Sequence, residues 1–329
     1  MISPKVSAEY ISLHSTNVKI KTDGLRKLGD LLCDEVKSGK LSPSNFSQTE
    51  LHPTSNDPWA LDWILVVDTL NYCFWHNEDE LGWRVDGYTG YFALCAAINK
   101  AIKNNPQFLD PKFYSTITTD ELSKILKSDT DIEIPLLSER VKCLHEVGNV
   151  LLEKYSGSFE QMVKEADQSA EKLLKSIVEN FKCFCDEANY GGRTVTFYKR
   201  AQILVGDIWA CFENEGLGHF EDIDKISMFA DYRVPQVLVY LDCLEYSDNL
   251  SKILSENIIL QNGDVEEVEI RGCTIHAVEL LKEYILKKLP KADVNSVLID
   301  HFLWDFRRKH AEDILKKKIP FHKTLSIYY

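Results

Sequence analysis

The sequence predicts a mainly α-helical fold, and three observations predict it. Apolar residues recur at helical spacing through roughly ten or more segments. Strand-like alternation is confined to short runs, so strand falls well below its usual share. No repeat period and no Pro/Gly/Ser-rich linker breaks the 329 residues. That favours one compact multi-helical domain over residues 1–329 rather than a solenoid or a string of modules. With 44% hydrophobic and 27% charged residues the chain has the composition of a globular protein with a sizeable core.

Taken in order, residues 6–13 are a short apolar stretch followed by Val18-Lys-Ile. Residues 23–37 read as an amphipathic helix with Leu25, Leu28, Leu31 and Leu32 as its stripe, Thr22 or Asp23 as its cap and Gly39 as its stop. His52 precedes Pro53 and is therefore held extended at the mouth of the next element. Residues 58–75 form a helical pattern that is apolar nearly all round, which predicts a central buried helix. Asp68 and Asn71 interrupt it and need buried partners. Residues 82–91 predict a small hairpin turning at Asp86-Gly87. A close-packing helix follows over 91–104, then a short one over 119–126. Two long helices, 135–155 and 159–181, are joined by Ser156-Gly157-Ser158. Gly191-Gly192 marks a turn before a strand fragment at 194–196. Helices are predicted over 197–213, with Lys199 and Arg200 in the first turn, and over 222–229, 235–244, 249–256, 266–289 and 295–311. The tail, 319–329, is apolar and aromatic, so it is expected to dock.

The net charge of −13 argues against a large nucleic-acid footprint, which needs a basic face. The N-terminus lacks a signal-peptide core, and no stretch approaches a membrane span. Nine cysteines are scattered through helical patterns and read as reduced core thiols in the cytosol or nucleus. Cys183 and Cys185 lack the second pair or nearby histidines of a metal site, so neither a metal nor a cofactor is expected. No P-loop, GxGxxG, GxSxG or HExxH motif is present.

The stretch from Ile226 to Gln236, Ile-Ser-Met-Phe-Ala-Asp-Tyr-Arg-Val-Pro-Gln, stands out. Pro235 stops a continuous helix but suits the first turn of a new one. Asp231, Tyr232 and Arg233 are left in a tight corner, where a carboxylate lies near a helix N-terminus. Capping is the plain reading of Asp231. Further on, Ile299-Asp300-His301-Phe302-Leu303-Trp304-Asp305-Phe306 sets acids inside an apolar run. Asp300 and Asp305 are separated by about 140° around the helix, so they meet one ligand only if it lies across the helix surface or end. The plain reading of Asp305 is an ion pair with Arg308 or Lys309, or a solvated acid.

These segments resemble the queuosine salvage proteins, the queuosine 5′-phosphate N-glycosylases, over nearly the whole chain. The resemblance is carried in order by Val67-Asp-Thr-Leu-Asn71 with Phe74-Trp75, Tyr88-Thr-Gly-Tyr91, Phe197-Tyr-Lys-Arg-Ala-Gln202, Met228-Phe-Ala-Asp-Tyr-Arg-Val-Pro-Gln236, Glu267-Val-Glu-Ile-Arg-Gly272 and Leu303-Trp-Asp305. It implies a helical fold related to helix-hairpin-helix DNA glycosylases, and hydrolysis of queuosine 5′-phosphate to release queuine for tRNA modification. It also implies that Asp231 is the catalytic aspartate, that Phe229 contacts the base, and that His52, Asp300 and Asp305 contact the ligand. His301 stands where the family pattern can carry tyrosine.

The chemistry suits these residue types. Cleaving an N-glycosidic bond develops an oxocarbenium-like sugar. A carboxylate below the anomeric carbon can stabilise that cation, activate water or attack it, and all three are open to Asp231. Asp300 and Asp305 fit the N–H edge of a deazaguanine and the cationic amine of its cyclopentenyl arm. Phe229 suits stacking on the base, with Trp75 as a second wall. Lys199, Arg200 and Arg233 are the candidate cations for the 5′-phosphate. The competing readings are a base glycosylase acting on nucleic-acid polymer, which the negative charge disfavours, and a helical scaffold in which the acids are structural.

Overall fold

The computed structural model describes residues 1–76 and 82–329. Helices dominate, in line with the periodicity. The chain divides into two compact units, each gathered from separate stretches. Residues 1–42, 186–202 and 224–325 form the first, and residues 43–185, 203–223 and 326–329 the second.

The first unit is built on the helix Val265–Lys288, which is buried along most of its first half. The helices Pro4–His14 and Thr22–Lys37 pack against it. Gly272 permits the approach of the former, since a Cβ there would stand 2.6 Å from Ile11. The buried Glu269 is hydrogen-bonded throughout: it accepts from Asn17 N at 2.7 Å, Ser15 Oγ at 2.8 Å and Tyr190 Oη at 2.8 Å. A buried carboxylate so satisfied ties the first connection to the helix at little cost. The expected cap of Thr22–Lys37 is absent: Lys21 occupies the cap position and no side chain bonds there. Helices Val234–Tyr240 and Ser296–Lys309 pack on each other and on Val265–Lys288.

In the second unit the helix Ala60–Leu70 is central and buried all round except at Asp62. Asn71 donates to Asp68 at 3.3 Å, which supplies the partner the sequence demanded. The helix ends at Leu70, earlier than expected, and Phe74 and Trp75 lie beyond it. Arg140 explains the stop, because its guanidinium donates to the carbonyls of Leu70, Tyr72 and Cys73. The hairpin of Arg84–Val85 with Tyr88–Thr89 turns at Asp86 and Gly87, both at positive φ, as its Asp-Gly turn predicts. The predicted long helix over 159–181 is two helices, Phe159–Glu165 and Ala170–Asn180. The break is stabilised from a distance, because Asp222 accepts from Ser169 Oγ and Ala170 N at 2.8 and 2.6 Å. The tail docks: Tyr329 is 1% exposed and its carbonyl accepts from Cys73 N.

Among the described residues there are four short strand pairs, where the sequence predicts at most one small hairpin. Glu187–Tyr190 and Arg193–Thr196 form a second hairpin around Gly191-Gly192. Val18–Ile20 pairs antiparallel with Leu244–Tyr246, and Ile259–Leu260 pairs parallel with Lys323–Thr324. The last two join segments far apart in sequence, which no local pattern reveals. All nine cysteines are free. Among the described residues no helix is long and apolar enough to cross a membrane.

Candidate active site

The corner around Asp231 lies in the first unit, and its backbone is not the helix predicted over 222–229. A short 3₁₀ turn covers Ile223–Lys225, after which residues 226–230 run irregular and buried. Side chains take the place of the missing helical bonds. Gln202 accepts from Ser227 N at 2.7 Å and donates to Ser227 Oγ at 2.7 Å. Asp300 Oδ1 accepts from Phe229 N at 3.1 Å, and Arg271 Nε donates to Ala230 O at 3.0 Å. A buried backbone without secondary structure survives only when its polar groups are paired in this way.

Asp231 caps the helix Val234–Tyr240, so the plain reading holds for half of its carboxylate. Oδ1 accepts from Arg233 N at 2.9 Å and Val234 N at 2.8 Å. Oδ2 takes no hydrogen bond from the described residues, and the side chain is half-buried. One oxygen is thus fixed by the backbone, which aims the other. Burial pushes the Asp231 carboxyl above its ordinary range, against the pull of Lys199 and the two backbone N–H groups. Asp300, 5% exposed, is pushed up much further by burial and then by the charge of Asp231. The two carboxyls are therefore raised unequally, and Asp300 holds its proton to higher pH than Asp231 does.

Phe229 faces His301, their rings 6.1 Å apart. Burial lowers His301 to about 4, so its imidazole is neutral at pH 7. Lys199 is buried, and its charge acts on both Asp231 and Asp300. Its backbone N–H donates to Asp186 at 3.1 Å, and Asp186 in turn meets Arg271 in a buried ion pair at 2.5 Å. Arg200 is buried beside it in the sequence. Arg233 lies over the ring of Phe321 at 4.0 Å. Asp305 is exposed, as a solvated acid would be.

The structure thus gathers Phe229, Asp231, Asp300, His301, Lys199 and Arg233 in one unit. His52 belongs to the second unit, in an aromatic cluster: it stacks on Phe46 at 4.1 Å and meets the edges of Trp63 and Tyr91. Sequence reasoning missed Arg271 and Asp186, which hold the corner, and Arg307, which faces it. Glu267 and Arg271, four apart on a helix, were the available signal for the first. Among the described residues no group of three or more His, Cys, Asp or Glu side chains is placed to hold a metal ion.

Two carboxyls raised to different extents, with a ring and a neutral imidazole at hand, make this a helical protein with an acid-centred site suited to a polar, aromatic small molecule. Comparison with known proteins gives the family. The queuosine salvage protein family model matches residues 51–329. The queuosine 5′-phosphate N-glycosylase/hydrolase of Mus musculus is 44% identical, covering 100% of this chain and 99% of its own. Its counterparts in Bos taurus and Nematostella vectensis are 43% and 40% identical, over 100% and 99% of this chain and 99% and 98% of theirs. The chain belongs to the queuosine salvage protein family.

Proposed function

We infer that this chain hydrolyses the N-glycosidic bond of queuosine 5′-phosphate and releases queuine for reuse in tRNA modification. The observation that carries this is the end-to-end likeness to enzymes named for that reaction, at up to 44% identity. The Asp231 corner supports it chemically. As the bond to the base breaks, positive charge develops on the ribose, and Asp231 Oδ2 is the charged group with a free valence to meet it. Water completes the cleavage, adding hydroxyl to the anomeric carbon and a proton to the departing base.

Phe229 and His301 form the wall on which the deazaguanine rests. Asp300 reads its edge: Oδ1 is engaged with Phe229 N, and the other oxygen is left for the base. Asp305, exposed on the same helix, suits the cationic amine of the cyclopentenyl arm. Lys199 balances the acids and Arg233 serves the 5′-phosphate. Free thiols, all but Cys185 buried, fit a reducing compartment such as the cytoplasm or nucleus.

The test is to offer purified protein queuosine 5′-phosphate, queuosine and queuosine-containing tRNA and to follow free queuine. Release from the nucleotide and none from intact tRNA is expected. Release from tRNA at a comparable rate would favour a polymer glycosylase instead.

A further inference from the structure

Arg307 is a cation that no expectation from the sequence included. It lies seven residues beyond Asp300 in the helix Ser296–Lys309, about 20° round and about 10 Å along the axis, hence on the same face. That separation is on the scale of a nucleotide from base edge to phosphate. Arg307 Nε is buried and makes no hydrogen bond among the described residues. A guanidinium carries five donors, and leaving one buried without a partner is costly.

Its surroundings make the case sharper. Arg307 is half-buried within electrostatic reach of a second guanidinium, Arg233, with Tyr232 and Asp231 beside them. Arg233 sits over Phe321 at 4.0 Å and Tyr232 at 5.1 Å, and its guanidinium makes a long 3.5 Å contact to Gln236 Oε1. Among the described residues neither arginine forms an ion pair with a carboxylate. Two partly buried guanidiniums of like charge repel, and the carboxylate acting on both is the single charge of Asp231. Asp231 acts on Lys199, Arg233 and Arg307 together, so its one negative charge is shared among three cations. A phosphate monoester carries about −1.5 to −2 at neutral pH, and its oxygens suit the fork of an arginine.

We propose that Arg307 and Arg233 together seat the 5′-phosphate of the substrate, with Arg307 making the selective contact. The proposal rests on the function inferred above and names the phosphate subsite within it. Placed there, the two arginines make the enzyme select nucleotide over nucleoside, because only the nucleotide satisfies their donors.

The test compares kcat/KM of wild type and Arg307→Gln on queuosine 5′-phosphate and on unphosphorylated queuosine, with inorganic phosphate as competitor. Losing one charge-assisted hydrogen bond predicts a fall of about 10- to 100-fold for the nucleotide, little change for the nucleoside and weaker inhibition by phosphate. An equal fall on both substrates, or unchanged discrimination, would overturn the proposal. Should Arg307→Gln fail to fold, Arg307→Lys carries the test, since it keeps the charge but loses the fork. It should also lower nucleotide turnover selectively, and unaltered selectivity in that variant would count against the proposal. Wild type inactive on both substrates would instead refute the function on which the proposal rests.

Discussion

Replacing Asp231 with Asn is the perturbation whose result the geometry specifies most closely. Asp231 does two jobs with two oxygens. Oδ1 caps Val234–Tyr240 through bonds of 2.9 and 2.8 Å to Arg233 N and Val234 N, and Oδ2 is left for the substrate. An Asn carbonyl can keep both capping bonds, so the corner should stand. Truncation to Ala would remove the cap as well, at a cost of about 1 kcal/mol. What Asn removes is the negative charge. A single preorganised electrostatic group in a dry site is worth about 10²- to 10³-fold in turnover, or about 2.7–4 kcal/mol. We therefore expect single-turnover hydrolysis to fall by about 10²-fold or more while direct binding stays near wild type. Thermal unfolding, run alongside, should show Asp231→Asn at least as stable as wild type, because a carboxylate that burial disfavours has become neutral. The same charge sets the pH dependence. The carboxyl is raised above its ordinary value, so the rate should decline on acidification through that raised pKa, sooner than an ordinary aspartate would dictate. A folded Asp231→Asn protein with a near-normal single-turnover rate would refute the catalytic assignment.

Asp300→Asn should behave differently, chiefly weakening binding, since Asp300 is assigned to the base edge. It also carries a stability signature. Its folded pKa is raised well above an unfolded value of about 3.9, so it costs nothing below that pH and progressively more as pH rises toward the folded pKa. Asp300→Asn should therefore raise Tm at neutral pH and leave it unchanged at pH 3, and a drop in Tm at neutral pH would contradict the raised pKa of this buried carboxyl. Treatment with a chelator should leave hydrolysis intact, since the developing positive charge is assigned to the Asp231 carboxylate. Loss of activity restored by one added divalent metal would overturn that expectation.

Much of this was legible in the sequence because it is local. The Pro235 stop, the capping carboxylate at Asp231, the Asp86-Gly87 turn and the apolar periphery of Ala60–Leu70 are short-range consequences of backbone geometry and residue type. What was not legible is set by groups distant in the chain. Ile223, Ile226 and Phe229 share helical spacing, yet Gln202, Asp300 and Arg271 bond the backbone of that stretch and hold it irregular. Asp222 breaks a predicted long helix by capping its second half at Ala170. The pairing of Val18–Ile20 with Leu244–Tyr246 depends on partners more than two hundred residues apart. Within the site, Asp300 was visible as an acid in an apolar run, but its raised pKa was not. That follows from full burial beside Asp231, which only the folded chain creates. Arg307 passed unnoticed because a basic residue in the last turn of a helix is ordinary, and its buried, unbonded Nε is a property of the three-dimensional neighbourhood.

The most direct test is product analysis of wild-type protein with queuosine 5′-phosphate. The account predicts queuine and ribose 5-phosphate in equal amounts, with neither queuosine nor inorganic phosphate formed. Unchanged substrate, or queuosine accompanied by inorganic phosphate, would contradict cleavage of the N-glycosidic bond at the Asp231 corner.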